Sequence, residues 1–298
     1  MIVTANEVPT CEDWLSRQTE PVIAVSERDQ NCTQMQFRNT DVIVTDFPSA
    51  QKLADRINQA PIPALQLVQV LRVTENISVE QGLLIESLAY STLQSGRDYQ
   101  KWLAGRPDPP QHISGTNGEP ILLERREDIV YARINRPEFH NALTIEMRNA
   151  LLEVLTLLEV DTSITQLKIS ALGKCFSIGG ELKEFGLAPD PAAAHSIRCK
   201  TNPAYLFARH SPRIHCHLHG ACIGSGIELP AFSFYLTANR KTFFQLPEYC
   251  FGLMPGAGGC ISIARRIGRH RTALLVLSGK KINAKTALEW GLIDAIVD

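Results

Sequence analysis

From Ile129 onward the chain alternates short β-branched runs with longer segments of helical period, and such alternation restricts a sequence to an α/β fold. IVYARI starts at Ile129, a helix is expected from about Thr144 to Val160, and TQLKISAL follows from Thr165. Ile214 to Leu218 is a further strand candidate that leads into the glycine-rich turn GACIGSGIE. Tyr235 to Gln245 carries two short strands around Asn239, helices are expected over most of Gly259 to Trp290, and LIDAIV is a last apolar run.

The clearest break precedes this region. RPDPPQHISGTNGEP, Arg106 to Pro120, holds four prolines and two glycines and interrupts both periodicities, so 106–120 reads as a linker between a front part, 1–110, and a core, 121–298. In the front part PVIAV from Pro21 and DVIVTDF from Asp41 look like short strands. Leu53, Ile57 and Ala60 keep a helical spacing, and Ser78 with Gln81 forms a capping-box pattern ahead of Leu83, Leu84 and Leu88, with Gly96 and Gly105 ending the last two helices.

Charge narrows the partners. The 30 Lys and Arg nearly balance 31 Asp and Glu, so nothing global draws the chain to nucleic acid or an anionic membrane, and no run is long enough to span a bilayer. Met1 to Trp14 has neither a basic patch nor an apolar run, which places the chain in the cytoplasm. The eight cysteines contain no CxxC pair and sit in apolar surroundings, as expected of reduced core thiols.

Three segments combine glycines with a carboxylate or a tight turn: FSIGGELKE from Phe176, HGACIGSGIEL from His219 and QLPEYCFGLMPGAGG from Gln245. Glycine allows close backbone approach, so N–H groups in the first two could meet one oxygen and stabilise negative charge on it. A helix beginning near Gly226 would add its positive end. Ordinary turns are the alternative for any single glycine pair.

Together with INRPEFHNAL, Ile134 to Leu143, these segments stand in the order and approximate spacing of the crotonase (enoyl-CoA hydratase/isomerase) signature, which the chain resembles from about Ile121 to Asp298. The resemblance implies a spiral of ββα units, with a helical segment N-terminal to the core, that binds a coenzyme A thioester. Its carbonyl oxygen would lie between the N–H groups of Gly180 and Ser225, the serine standing where the family usually has the middle of three glycines. Glu228 and Glu248 match the two glutamates of family hydratases. Adding water across an α,β-double bond needs one group for the water and one for the α-carbon proton, and we assign Glu228 to the first and Glu248 to the second. Lys183, with Ser177, Ile178 and Leu182 of the same segment, is implied to meet the CoA portion, a solvated lysine being the alternative.

The expected activity is hydration of a 2-enoyl-CoA to a 3-hydroxyacyl-CoA or its reverse, with no metal and no cofactor beyond the CoA of the substrate. Double-bond isomerisation and a silent acyl-CoA-binding subunit are the alternatives. The resemblance further implies a homotrimer or dimer of trimers. His215, His217 and His219 would share one face of a strand, but packed or hydrogen-bonded histidines account for them better than zinc. ARRIGRHR, Ala264 to Arg271, reads as a solvated helix face. Finally, the front part from Asp46 to Pro110 resembles the helical tail that family members carry after the strand that here reads GLIDAIVD. It is expected to replace that tail, by circular permutation or as the remnant of a duplicated domain.

Overall fold

Capping residues set where the front helices begin. In the computed structural model, which describes residues 1–4, 7–9, 11, 13–26, 37–106 and 118–298, a small parallel sheet comes first, β1 (Ile2–Thr4), β2 (Ile23–Val25) and β3 (Val42–Val44) in that order. Asp46 then accepts the Ser49 N–H at 2.7 Å and opens α1 (Phe47–Gln59), whose Ala50, Leu53 and Ile57 form the buried stripe. Ala60 lies beyond the helix rather than on it, at φ −144°, and Pro61 starts α2 (Pro61–Thr74). The Ser78–Gln81 capping box is complete and opens α3 (Val79–Gln94), and α4 (Arg97–Ala104) follows, closed by Gly105.

The back part winds as a spiral. β4 (Ile121–Arg126) pairs antiparallel with β5 (Ile129–Ile134), α5 (Ile145–Val160) crosses over, and β6 (Gln166–Ala171) lies parallel to β5. Two helices the sequence pattern did not reveal, α6 (Pro191–Thr201) and α7 (Ala204–Arg209), lead to β7 (Ile214–Leu218). From there each turn places one strand in a large sheet and the next in a small one before a helix. β7, β8 (Ala221–Ile223) and the single-turn α8 (Ser225–Glu228) form one unit; β9 (Tyr235–Asn239), β10 (Phe243–Gln245) and the long α9 (Gly259–Ser278), kinked at Gly268, form the next. β11 (Ile282–Asn283), α10 (Ala284–Trp290) and β12 (Ala295–Val297) complete the large sheet, ordered β12-β9-β7-β6-β5-β4, and the small one, ordered β11-β10-β8.

Two expectations change, and a third lies mostly outside the described residues. Of the 106–120 linker, residues 107–117 lie outside the described residues, as does Cys32. The basic stretch is not a solvated face: Arg266 donates to the carbonyls of Ala231 and Ser233, and buried Arg269 to those of Thr40 and Arg38 while pairing with Glu75 at 3.1 Å. Charges spaced for one helix face were instead used to tie carbonyls of neighbouring segments to α9. Cysteines 175, 216, 222 and 260 are buried, but 11, 199 and 250 are exposed.

One apolar core runs through both parts, with Leu53, Leu67, Leu83 and Leu93 clustered with Leu155, Leu167, Ile214, Phe244 and Val276. Polar contacts reinforce it: the Tyr249 hydroxyl donates to the Ala60 carbonyl at 2.8 Å, and Arg106 to that of Phe185 at 2.8 Å. Burying a large aliphatic side chain contributes roughly 1.5–3 kcal/mol, so the front helices' share is on the order of 10–20 kcal/mol, as large as the stability of a whole domain. A chain beginning at Gly118 should therefore aggregate or lose its cooperative thermal transition. Size-exclusion chromatography and thermal melting check this, and a monodisperse, cooperatively melting 118–298 chain would contradict the shared core.

Candidate active site

Glu228 owes its place to a turn that only glycine can make. Gly224, at φ 52°, ends the approach from β8, and a Cβ there would come within 2.6 Å of the Glu248 Oε1. α8 then lasts one turn before Pro230, which is enough to point Glu228 inward. So short a helix brings little dipole of its own. The expected positive helix end is supplied from elsewhere: the start of α9 and the loop before it face Glu228. Its Oε2 accepts N–H bonds from Ala257 at 2.8 Å and Gly259 at 3.0 Å.

The alternate N–H groups of the same run go to a carboxylate the sequence reading did not select. Glu86 of α3, fully buried, accepts from Gly258 at 2.7 Å through one oxygen and from Cys260 at 2.8 Å through the other. Four consecutive backbone donors are thus divided between two buried acids. Tyr90, one turn further along α3, packs so tightly on Gly256 that a Cβ there would lie 2.4 Å from its ring.

Electrostatics then separates the acids. Burial pushes Glu228 up to about 7, against the pull of the backbone N–H groups on its charge. Glu248 is raised well above the ordinary carboxylate range by burial and by the neighbouring Glu228, and its Oε2 has no hydrogen-bond partner among the described residues. The charge is therefore favoured on Glu228, whose Oε2 gathers backbone donors, and the proton on Glu248, which has only its own backbone N–H to offset burial and the field of Glu228. Glu86 is raised to about 8 by burial and by Glu228.

Two cavities meet at these groups. One, of about 290 Å³, is lined by Gly180, Ser225, Glu228 and Glu248 together with Tyr90, Phe185, Ile197 and Arg198. The other, of about 340 Å³, is lined by Ile178, Leu182, Lys183 and Phe251. They share Gly180, Glu181, Phe185 and Glu248. Neither the Gly180 nor the Ser225 N–H is donated to an acceptor among the described residues. Ser177 stands apart: it is buried, its Oγ accepts the Gly179 N–H at 3.1 Å, and it borders a small internal void. The histidines take separate partners, His215 against Phe234 and Tyr235, His217 with Thr237 and His219 with the Gly173 carbonyl.

The family model for enoyl-CoA hydratase/isomerase matches residues 124–298. The chain belongs to that family. The 2,3-dehydroadipyl-CoA hydratase of Escherichia coli (strain K12) is 30% identical over 176 residues, 59% of this chain and 68% of that protein. The trans-2-decenoyl-[acyl-carrier-protein] isomerase of Streptococcus mutans is 29% identical over 177 residues, 58% and 67% of the two chains. The crystal structure of enoyl-CoA hydratase from Thermoplasma volcanium GSS1 superposes with a TM-score of 0.56 at 32% identity, covering 61% of this chain and 73% of that one. The crotonase-like α/β fold expected from the motifs is the fold of this family member, and membership of the hydratase/isomerase family makes the chain an enzyme.

Glu86, Tyr90 and Arg198 are the site residues that sequence reasoning missed. The available signal was an acid on an apolar stripe: Leu83, Glu86, Ser87 and Tyr90 fall at i, i+3, i+4 and i+7 of α3, all of them buried. Because Glu86 is raised above its ordinary value of 4.5 on folding, it contributes stability that is full below pH 4.5 and fades as pH rises through about 8. Glu86→Gln should therefore flatten the fall in stability between pH 5 and 8, although it costs one acceptor. Urea unfolding at pH 5.5 and 7.5 measures the slope, and an unchanged slope would deny Glu86 that role.

Proposed function

We propose that this enzyme adds water to a 2-enoyl-CoA, giving a 3-hydroxyacyl-CoA, or runs the reverse dehydration. The observation that carries the reading is the unequal pair of buried glutamates on one cavity wall: Glu228 with two backbone N–H donors, from Ala257 and Gly259, on one oxygen, and Glu248 with an oxygen that has no partner among the described residues. In this reading the ionised Glu228 takes a proton from water while Glu248 protonates the α-carbon. The free N–H groups of Gly180 and Ser225 would receive the thioester oxygen as it gains negative charge, forming the oxyanion hole. The pantetheine arm would follow the cavity at Ile178, Leu182 and Lys183, and the acyl chain the cavity at Tyr90 and Ile197.

This acid–base chemistry needs no electron carrier, and the only cofactor moiety it calls for is the CoA of the substrate. The reading extends to a homotrimer or dimer of trimers working in the cytoplasm, for which the exposed Ile62, Val73, Leu84 and Leu88 on α2 and α3 offer apolar surface to a second copy. Among the described residues no helix is long and apolar enough to cross a membrane. It also takes α1 to α4 as the counterpart of the family's tail, supported by the way α3 supplies Glu86 and Tyr90 to the site.

The test is a panel of saturated, 2-enoyl and 3-enoyl CoA thioesters in deuterated water, with products identified by mass. A gain of water supports hydration, whereas a shifted double bond carrying deuterium would assign isomerisation, and unchanged thioesters a silent binder. Glu248→Gln and Glu228→Gln should each slow hydration by roughly 10²–10⁴-fold, with Glu228→Gln sparing α-proton exchange more. Since Glu228 must be ionised to act, kcat/KM should fall as pH drops through about 7.

A further inference from the structure

The cavity that holds Glu228 and Glu248 also contains a cation, Arg198, that no carboxylate contacts among the described residues. Arg198, half-buried on α6, reaches across to α3, where Nε donates to the Ser87 hydroxyl at 3.0 Å and Nη1 to Gln94 Oε1 at 3.1 Å. Nη2 donates to the Ser87 carbonyl at 3.2 Å and to the Ser91 hydroxyl, and the guanidinium lies 4.7 Å from the centre of the Tyr90 ring. Every one of these acceptors is neutral. Four of the five N–H donors of a guanidinium are used, and no carboxylate pairs with Arg198 among the described residues. Glu86 reaches it through space but makes no contact, and burial keeps Glu86 mostly protonated at neutral pH.

Two further acids that line the cavity, Glu184 and Glu181, have other partners. Glu184 accepts the Ile145 N–H at 2.8 Å and shares its field with Arg148, and Glu181 accepts the Lys183 N–H at 3.0 Å. A half-buried charge that keeps a donor free and gains only neutral contacts has lost hydration without recovering a Coulombic partner. The natural way to recover it is a ligand oxyanion, and a guanidinium suits a carboxylate best.

We infer that Arg198 recognises a carboxylate carried on the acyl group, so that the preferred substrates are 2-enoyl-CoA thioesters of dicarboxylic acids. This rests on the proposed reading of the cavity as the acyl side of a hydratase site. Arg198 acts here as a specificity residue, apart from proton transfer, and Gln94 and Tyr90 hold its fork in place.

The experiment compares binding by calorimetry of saturated, unreactive acyl-CoA pairs of four, six and eight carbons, one member ending in methyl and the other in carboxylate. The 2-enoyl forms of the same pairs are assayed for hydration. For at least one length the carboxylate member should bind about 10–100-fold more tightly, the range of a charge-assisted hydrogen bond. R198Q should remove that preference by weakening the carboxylate member far more than the methyl one, and R198K should keep part of it. Equal or tighter binding of the methyl member at every length overturns the inference in the wild-type protein alone, whether or not the variants fold. So does an R198Q enzyme that weakens both members alike. If the 2-enoyl forms are hydrated without carboxylate preference, this inference fails and the hydratase reading stands. Carboxylate-selective binding without any turnover does the opposite, and no binding of any acyl-CoA removes both.

Discussion

The division of four backbone N–H groups between two buried carboxylates is the constraint on which the site depends. Ala257 and Gly259 serve Glu228, while Gly258 and Cys260 serve Glu86. An unpaired N–H at this depth would cost about 1–3 kcal/mol, so neither acid can leave without stranding two donors. The geometry is therefore over-determined. α8 brings Glu228 from one side, α3 brings Glu86 from the other, and the run before α9 is locked between them. Glu228 can then present its second oxygen to the cavity in a fixed orientation, which acid–base catalysis requires.

Burying three acids together would be prohibitive if all were ionised, and the arrangement avoids this by giving the donors out unequally. Glu228 concentrates two of them on one oxygen and keeps the charge. Glu248 receives none on Oε2, and the field of Glu228 adds to burial in keeping its proton. One acid and one base thus arise from identical side chains, because their environments push them apart. The amides at the start of α9 matter more here than those of α8, since α9 is long enough to have a substantial dipole whereas Pro230 follows α8 after one turn.

Much of this was legible in the residues. IVYARI is a strand from Ile129 to Ile134, the helix expected from about Thr144 to Val160 runs from Ile145 to Val160, and Glu228 and Glu248 meet in one cavity with Gly180 and Ser225. Some elements were missed: β8 and β11 are two or three residues long without a run of β-branched residues, and α6 is rich in alanine without an apolar stripe. Ser177 matched a motif but faces inward, because Gly226 lies against its carbonyl, where a Cβ would come within 2.6 Å. Arg266 and Arg269 show the limit of charge patterning. Helical spacing says which residues share a face, but whether that face meets water or carbonyls is settled by segments distant in sequence, here 38–40 and 231–233.

The same distance in sequence explains why the front part belongs to the chemistry. A helix needs tertiary burial for its stability, and α3 obtains it by laying Leu83 and Leu93 into the core that holds Phe244 and Val276. That docking fixes its remaining inward positions, which then can carry polar groups at low additional entropy cost. Glu86 uses one for the α9 amides, Tyr90 another for the wall at Gly256, and Ser87, Ser91 and Gln94 together hold Arg198. Apolar packing therefore positions α3, and the polar residues along it complete a site whose glutamates lie more than a hundred residues away. Shifting α3 by a single residue would turn Glu86 off the amides and release Arg198 together, so the acid–base pair and the cavity wall are coupled through one helix.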